Sequence, residues 1–371
     1  MPIYMDRHDL PESVNAEHVA QIHQEDLKIE HEYGCKGLTY WFDDQRKTAI
    51  CLIKAPNKKA LQDMHDHAHG GVANSIIEVD PSIVESFLGR IEDPVKAKNT
   101  KLNIINDPAF RVLMVMNTTC DNPVKSNLPE FKRLLNSIKT RFISLVKAAE
   151  GRIVKENLYE SLISFKSISG ALKCALEIQS AFEKHFDSGA YPICLRIGMS
   201  TGVPVSKGEG IFEETIKIAD RLCKIVGGSI AVSYEVKELY ESENHHKILD
   251  TGRVRVLQPA DERFLTSLMD FVEQNWNRTN LRVDDFSADL GFSKAQLYRK
   301  VKFLTGESLN IFIRAYRLER ARKMMDCNTG NISEIAFDTG FNSAAYFSKC
   351  FLEAYGMLPS EYFKQYRPLQ V

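Results

Sequence analysis

Asp284-Asp-Phe-Ser-Ala-Asp-Leu-Gly-Phe-Ser293 is the stretch on which the rest of the chain turns. Asp284 is a good N-cap, and its carboxylate suits the positive end of a helix dipole. Phe286 and Leu290 fall four apart, on one helical face. Gly291 stops that helix where a left-handed residue costs least. Ser293 then caps a second helix, Lys294 to Leu304, with Leu297, Val301 and Leu304 facing inward. Lys294, Ala295, Tyr298, Arg299 and Lys302 fall on its other side. A short helix, a glycine turn and a second basic helix is the geometry that enters a major groove.

The pattern recurs downstream. Asn331 and Ile332 open a helix carrying Ile335, Ala336 and Phe337, and Gly340 ends it. Asn342 or Ser343 caps the next, with Phe347 and Phe351 inward and Ala344, Ala345, Ser348 and Lys349 outward. Between the units, Ser308 to Asp326 reads as one helix, which at ~1.5 Å per residue spans roughly 28 Å. That approaches one DNA turn of ~34 Å, so both recognition helices can enter successive major grooves. From 294 to 323 nine Lys or Arg face two Glu, a basic patch suited to phosphates.

Residues 262 to 367 resemble the AraC/XylS DNA-binding domain along their whole length. The resemblance rests on Leu297, Arg299, Lys302, Gly306, Ser308, Arg317, Leu318, Ala321, Ile332, Ile335, Ala336, Gly340, Phe341, Tyr346, Phe347, Phe351, Gly356, Pro359 and Tyr362. It implies contact with an asymmetric site on double-stranded DNA and transcriptional activation, with RNA polymerase as a further partner. By position, the base-facing candidates are Ala295, Tyr298 and Arg299, then Asn342, Ala344, Ala345 and Lys349. Lys294, Lys302 and Ser343 complete the expected DNA-binding set. Ala344 and Ala345 touch a thymine methyl at most, so the first unit is expected to carry most direct readout.

Length and composition bound the remainder. The chain has 371 residues, which implies two or three domains. Its 48 basic and 49 acidic side chains nearly cancel, so bulk charge says nothing about nucleic acid. No apolar run reaches the ~18 residues of a membrane span, and Met-Pro-Ile-Tyr-Met-Asp does not read as a signal peptide. Eight scattered cysteines form no C-x-x-C pair and point to a reducing cytoplasm.

Residues 1–94 read as strand, helix, strand, strand, helix, strand, which is a ferredoxin-like β-α-β-β-α-β unit. Seven of ten histidines precede residue 70. His65 and His69 are four apart on one helix, a spacing that lets two imidazoles meet one metal. His23 and Asp26 are three apart on the other. His8, His23-Gln-Glu-Asp-Leu27, Cys51-Leu-Ile-Lys-Ala-Pro56 and the His65/His69 helix resemble a small bacterial ferredoxin-like family with a nickel-binding member. The resemblance makes His8 and His23 the first ligands to test, then Asp26, His65 and His69. A His-rich set suits nickel or zinc.

After a polar linker at Ile91–Lys101, residues 104–257 alternate strands and helices. They resemble the class III nucleotide cyclase fold through Glu150-Gly-Arg-Ile-Val-Lys155, Ala171 to Gln179, Leu195-Arg-Ile-Gly-Met-Ser-Thr-Gly202, Ala219-Asp-Arg-Leu-Cys223 and Gly228-Ser-Ile-Ala-Val-Ser233. A cyclase needs two aspartates for two metal ions. Here Asn117 stands at the first position, the hairpin reads Leu158-Tyr159-Glu160, and Lys217 replaces an expected asparagine. Arg221 alone survives. The resemblance therefore implies a degenerate cyclase that senses or pairs as a homodimer, not an enzyme.

The sequence thus defines a multidomain α+β protein: a His-rich ferredoxin-like domain (1–94), a cyclase-like α/β sandwich (104–257) and an all-α double helix-turn-helix domain (261–371). The expected function is a cytoplasmic, bacterial AraC/XylS-type activator answering an unidentified effector. The alternatives are a nickel- or zinc-responsive regulator and an active cyclase.

Overall fold

The computed structural model describes residues 1–71, 73–94, 102–120, 129–157, 159–186, 193–206, 208–227, 230–245 and 248–366. Most of the expected linker, Leu158, Ser229 and His246 lie outside the described residues. Strands β1 (Ile3–Asp9), β2 (Lys36–Asp43), β3 (Thr48–Lys54) and β4 (Ser75–Glu78) form an antiparallel sheet in the order β2-β3-β1-β4. Helices α1 (Ala16–Ile29) and α2 (Lys58–His69) complete a β-α-β-β-α-β succession. Strand side chains alternate faces. Tyr4, Tyr40, Phe42 and Ile53 meet Val19, Leu61 and Met64 of the two helices. Met5, Trp41, Ile50 and Leu52 point the other way, into a core shared with Leu113, Val205 and Phe212. Burial on both faces is why these strands read as nearly continuous apolar runs.

Helix α3 (Pro81–Leu88) is a correction to the sequence reading, which passed over it. Asp80 caps it by accepting from the Ser82 and Ile83 amides, and Pro81 opens it. Its C-terminal carbonyls are taken up by two arginines from further along the chain. Arg111 donates to Phe87 and Leu88, and Arg152 to Glu85 and Ser86. Burial draws the Arg111 guanidinium down to about 10.

The second sheet has the order β10-β9-β8-β5-β7-β6. Its strands are β5 (Arg111–Cys120), β6 (Arg152–Glu156), β7 (Glu160–Phe165), β8 (Ile193–Gly202), β9 (Ile230–Val232) and β10 (Arg255–Val256). The β5 pairings are antiparallel, whereas β8-β9 and β9-β10 are parallel. β8 stops at Gly202. Helices α4 (Pro129–Ala148), α5 (Ile168–Phe186) and α7 (Tyr234–Glu243) pack one face around Phe142, Ile178 and Val236. Helix α6 (Glu213–Ile225) covers the other and rests on β8. The approach is so close that a Cβ at Gly198 would collide with the Ala219 carbonyl and the Cys223 amide. Gly198→Ala is expected to cost about 1–3 kcal/mol by overpacking, read as a lower denaturant midpoint. An unchanged midpoint would show that α6 can retreat freely.

Seven helices follow: α8 (Pro259–Asn275), α9 (Val283–Leu290), α10 (Lys294–Thr305), α11 (Leu309–Asp326), α12 (Ile332–Asp338), α13 (Ala344–Tyr355) and α14 (Pro359–Tyr366). They do not share one core. Phe264, Leu268, Phe286, Leu297, Val301, Leu304 and Phe312 pack together with Leu222, Val226, Ala231 and Leu257 of the second sheet and α6. Leu318, Met325, Ile335, Phe347 and Phe351 form a separate cluster. The first helix-turn-helix unit is therefore built onto the middle of the chain, and α11 carries the second unit outward.

Candidate nucleic-acid interface and metal centre

Local capping explains both helix-turn-helix units. Gly291 takes φ +70° at the end of α9, and Ser293 opens α10 with a capping box to Gln296. One detail differs from the sequence reading. Arg282, not Asp284, is the N-cap of α9, because its amide donates to the Asp285 carboxylate at 2.7 Å. Asp284 instead pairs with Lys294. In the second unit Ser343, one of the two expected caps, caps α13 through the Tyr346 amide. Phe337 is 52 % exposed.

Leu297, Val301 and Leu304 are fully buried, which turns Lys294, Ala295, Tyr298, Arg299 and Lys302 to the surface of α10. Lys302 Nζ stands 6.0 Å from the Tyr298 ring centroid. On α13, Asn342, Ser343, Ala345 and Lys349 are exposed, while Ala344 is half-buried against the second cluster. Sequence reasoning did not single out Arg317 for a task. From α11 it donates to the carbonyls of Trp276 (2.7 Å), Arg278 (2.6 Å) and Gly340 (2.9 Å). It thereby ties the end of α8 to the turn of the second unit. Gly340 has φ +81°, and a Cβ there would press on the guanidinium.

The second site lies between the first sheet and its helices. His65 sits on α2 with Nε2 2.7 Å from Asp6 and Nδ1 3.0 Å from Asp26. His69, one turn on, places Nε2 3.3 Å from both His65 Nδ1 and Asp26. His8 Nε2 lies 3.5 Å from Asp6 and makes no hydrogen bond, although it is buried. Cys51 opposes Asp6 in the β1-β3 register, and its amide donates to that carboxylate. Donor atoms gather in two sets, Asp6–His8–Cys51 and Asp26–His65–His69. His23 is in neither set. It packs on Tyr40 and lies 3.6 Å from Asp93. Asp6 and Cys51 were missed as candidates because each stands on a strand far in sequence from the helices it meets.

Electrostatics bind this cluster tightly. Burial alone lowers the basicity of His65, but the hydrogen bonds it donates to Asp26 and Asp6 outweigh it and hold the imidazole at about 10. Asp6 is pushed up by burial and pulled down further by His8 and His65, ending far below the ordinary carboxylate range. Burial and the nearby Asp6 push the Cys51 thiol well up. A divalent cation fits this donor set. Imidazole nitrogens and carboxylate oxygens suit nickel or zinc, and a cation would take the place of the proton on His65. It would also give the unpartnered His8 nitrogen a bond.

Two helix-turn-helix units on one connecting helix have the geometry of a DNA-binding domain. Comparison with known proteins agrees. Residues 286–365 match the family described as helix-turn-helix domain, and residues 4–79 match nickel responsive protein SCO4226-like. The chain thus carries a helix-turn-helix domain of the AraC/XylS type over residues 286–365 and a segment similar to the SCO4226-like family over residues 4–79. Histidine kinase P4 of Formosa agariphila is 39% identical over 110 residues, covering 30% of this chain and 8% of that protein. The xylose operon regulatory protein of Escherichia coli K12 is 27% identical over 157 residues, covering 38% of this chain and 39% of that protein. The chain thus spans well under half the length of these curated relatives. Among solved structures, SCO4226 from Streptomyces coelicolor A3(2) is 31% identical, covering 21% of this chain and 94% of that one, with TM-score 0.20. An AraC-type regulator from Chromobacterium violaceum is 26% identical, covering 30% of this chain and 99% of that one, with TM-score 0.28. Among the described residues no helix is long and apolar enough to cross a membrane.

Proposed function

We propose that the protein is a sequence-specific, DNA-binding transcription regulator of the AraC/XylS type, acting as an activator in the bacterial cytoplasm. The observation that carries this reading is the pair of exposed helix faces, on α10 and α13, held apart by α11. Double-stranded DNA is the partner, with RNA polymerase beside it and a second copy of the chain as a candidate. Arg299 is exposed on α10 and free to reach a base edge. Arg299→Ala is expected to lose about 1–3 kcal/mol at a selected site and to relax preference at one base. Retained affinity with unchanged preference would remove Arg299 from base readout.

A second reading is favoured by the buried His/Asp cluster: a regulator that responds to nickel or zinc through a ferredoxin-like domain at 1–94. His8, Asp26, His65 and His69 are the ligands proposed, with Asp6 added. Site selection on metal-loaded and metal-stripped protein separates the two readings. Identical DNA affinity in both samples would leave the regulator standing without metal control.

For the middle unit, 104–257, we propose a cyclase-like fold without cyclase chemistry. Asn117 and Glu160 face each other in the β5-β7 register, joined at 3.1 Å. Lys224 Nζ lies 3.1 Å from Glu160 and 2.9 Å from Asp220, so an ammonium already neutralises Glu160. Arg221 is turned to the C-terminal unit, where Asp270 and Glu273 hold it.

A further inference from the structure

We infer that the junction of the middle unit with the first helix-turn-helix unit binds a small organic anion with an apolar body. The inference rests on the regulator reading in one respect: the anion is then its effector. A cavity of about 310 Å³ opens at this junction. That lies at the lower end of the range for small-molecule pockets. Its walls come from both units: Arg196, Arg221 and Lys224 on one side, Phe312, Tyr316 and Arg320 on the other. Ile225 and Met269 add apolar surface.

Charge pairing inside the cavity is incomplete in a directional way. Lys224 is held by Asp220 and Glu160, and Lys323 by Glu319. Arg196 and Arg320 have no carboxylate partner among the described residues. Arg196 Nη1 donates to the Lys224 carbonyl at 3.0 Å, leaving its other donors for a ligand. Arg320 reaches only the Tyr316 hydroxyl and lies over the rings of Trp276 and Tyr316. Arg221 is 3% exposed, yet its Nε has no hydrogen-bond partner. The two lining arginines without a carboxylate partner thus face one lining carboxylate without a cation, Glu307. Phe312, Tyr316, Ile225 and Met269 offer apolar contacts that an anion with an apolar body can use and inorganic phosphate cannot.

The position gives the site a consequence. Arg196 belongs to the second sheet, whereas Arg320 lies on α11 just beyond Leu318, where the second cluster begins. An anion held by both arginines fixes the stem of the second unit against the middle of the chain. It would shift the population of arrangements in which both recognition helices reach DNA.

The test uses the full chain and 8-anilinonaphthalene-1-sulfonate, with neutral N-phenyl-1-naphthylamine as comparison. Fluorescence titration is expected to show one saturable site for the sulfonate, with the neutral compound at least about tenfold weaker. Arg196→Gln and Arg320→Gln should each weaken the sulfonate by about tenfold, while Arg253→Gln, in a separate groove, should not. Two variants on different units guard against one that misfolds, and far-UV circular dichroism identifies it. Equal binding by wild type and both junction variants would overturn the site, as would unsaturable binding. A saturating sulfonate should also change affinity for selected DNA by about fivefold. If no DNA binds while the sulfonate site behaves as stated, the regulator reading fails and the site survives. If DNA binds with unchanged affinity under saturating sulfonate, the effector role is overturned.

Discussion

Arg317→Ala is expected to weaken binding to a complete two-part DNA site by roughly a hundredfold, while affinity for DNA carrying only the first half-site stays within a factor of about two. The guanidinium is the polar clip between the two helix-turn-helix units. Its three donors reach carbonyls of Trp276 and Arg278, after α8, and of Gly340, in the second unit. Burial draws its pKa down without discharging it. Each charged hydrogen bond contributes about 1.5–3 kcal/mol, and losing two well-shielded ones gives roughly 3 kcal/mol. That energy is not spent on the core, because the two apolar clusters are separate. It is spent on the angle between two recognition helices, which only a two-part site reads. Arg317→Lys should lie in between, since one ammonium cannot serve three diverging acceptors. Parallel titrations of full and half sites decide the matter. Equal losses on both DNAs would show that Arg317 supports the fold rather than the angle.

What was legible in the sequence, and what was not, divides by range of interaction. The helices from 259 onward are encoded locally. Gly291, Ser293, Ser308, Asn331 and Ser343 mark their boundaries, and apolar spacing gives the buried face. Even there, the cap of α9 went to Arg282, because an acidic run offers several carboxylates and only geometry selects Asp285. Helix α3 was missed for the opposite reason. It is short, lies before a polar segment, and its carbonyl end is completed by Arg111 and Arg152, which no local pattern announces.

The metal cluster shows the same division. His65 and His69 are visible as a helical pair, and Asp26 as part of another. Asp6 is separated from His65 by 59 positions, and it sits between Met5 and Arg7 on β1. Only the sheet register, Asp6 opposite Cys51, places it under the helices. His23 was coupled to Asp26 by spacing, yet it packs on Tyr40 and faces Asp93, a residue whose place could not be read from periodicity. Nor could the sharing of a core between Leu222, Val226 and the first helix-turn-helix unit.

His65→Ala should destabilise the metal-free N-terminal unit by about 3–5 kcal/mol, the cost of leaving buried charge without its partner. Asp6 is fully buried and Asp26 is 3% exposed, and the His65 ring stands between their carboxylates. Without the imidazolium they face each other across a gap that His8 and His69 reach only from the side. The chain has two tryptophans, and Trp41 is buried in the first sheet, so a Trp276→Phe background makes fluorescence report on that sheet alone. Urea unfolding followed at Trp41 should then move to a markedly lower midpoint in the variant. Nickel sharpens the experiment. A cation that binds only the folded state stabilises it by mass action, so added nickel should raise the midpoint of the wild type. With one imidazole gone but His8, His69 and both carboxylates in place, the variant should bind nickel more weakly and be rescued only at higher concentration. An unchanged midpoint in the absence of metal would mean that the carboxylates accept protons instead. A nickel response equal to that of the wild type would mean that the ion is held elsewhere.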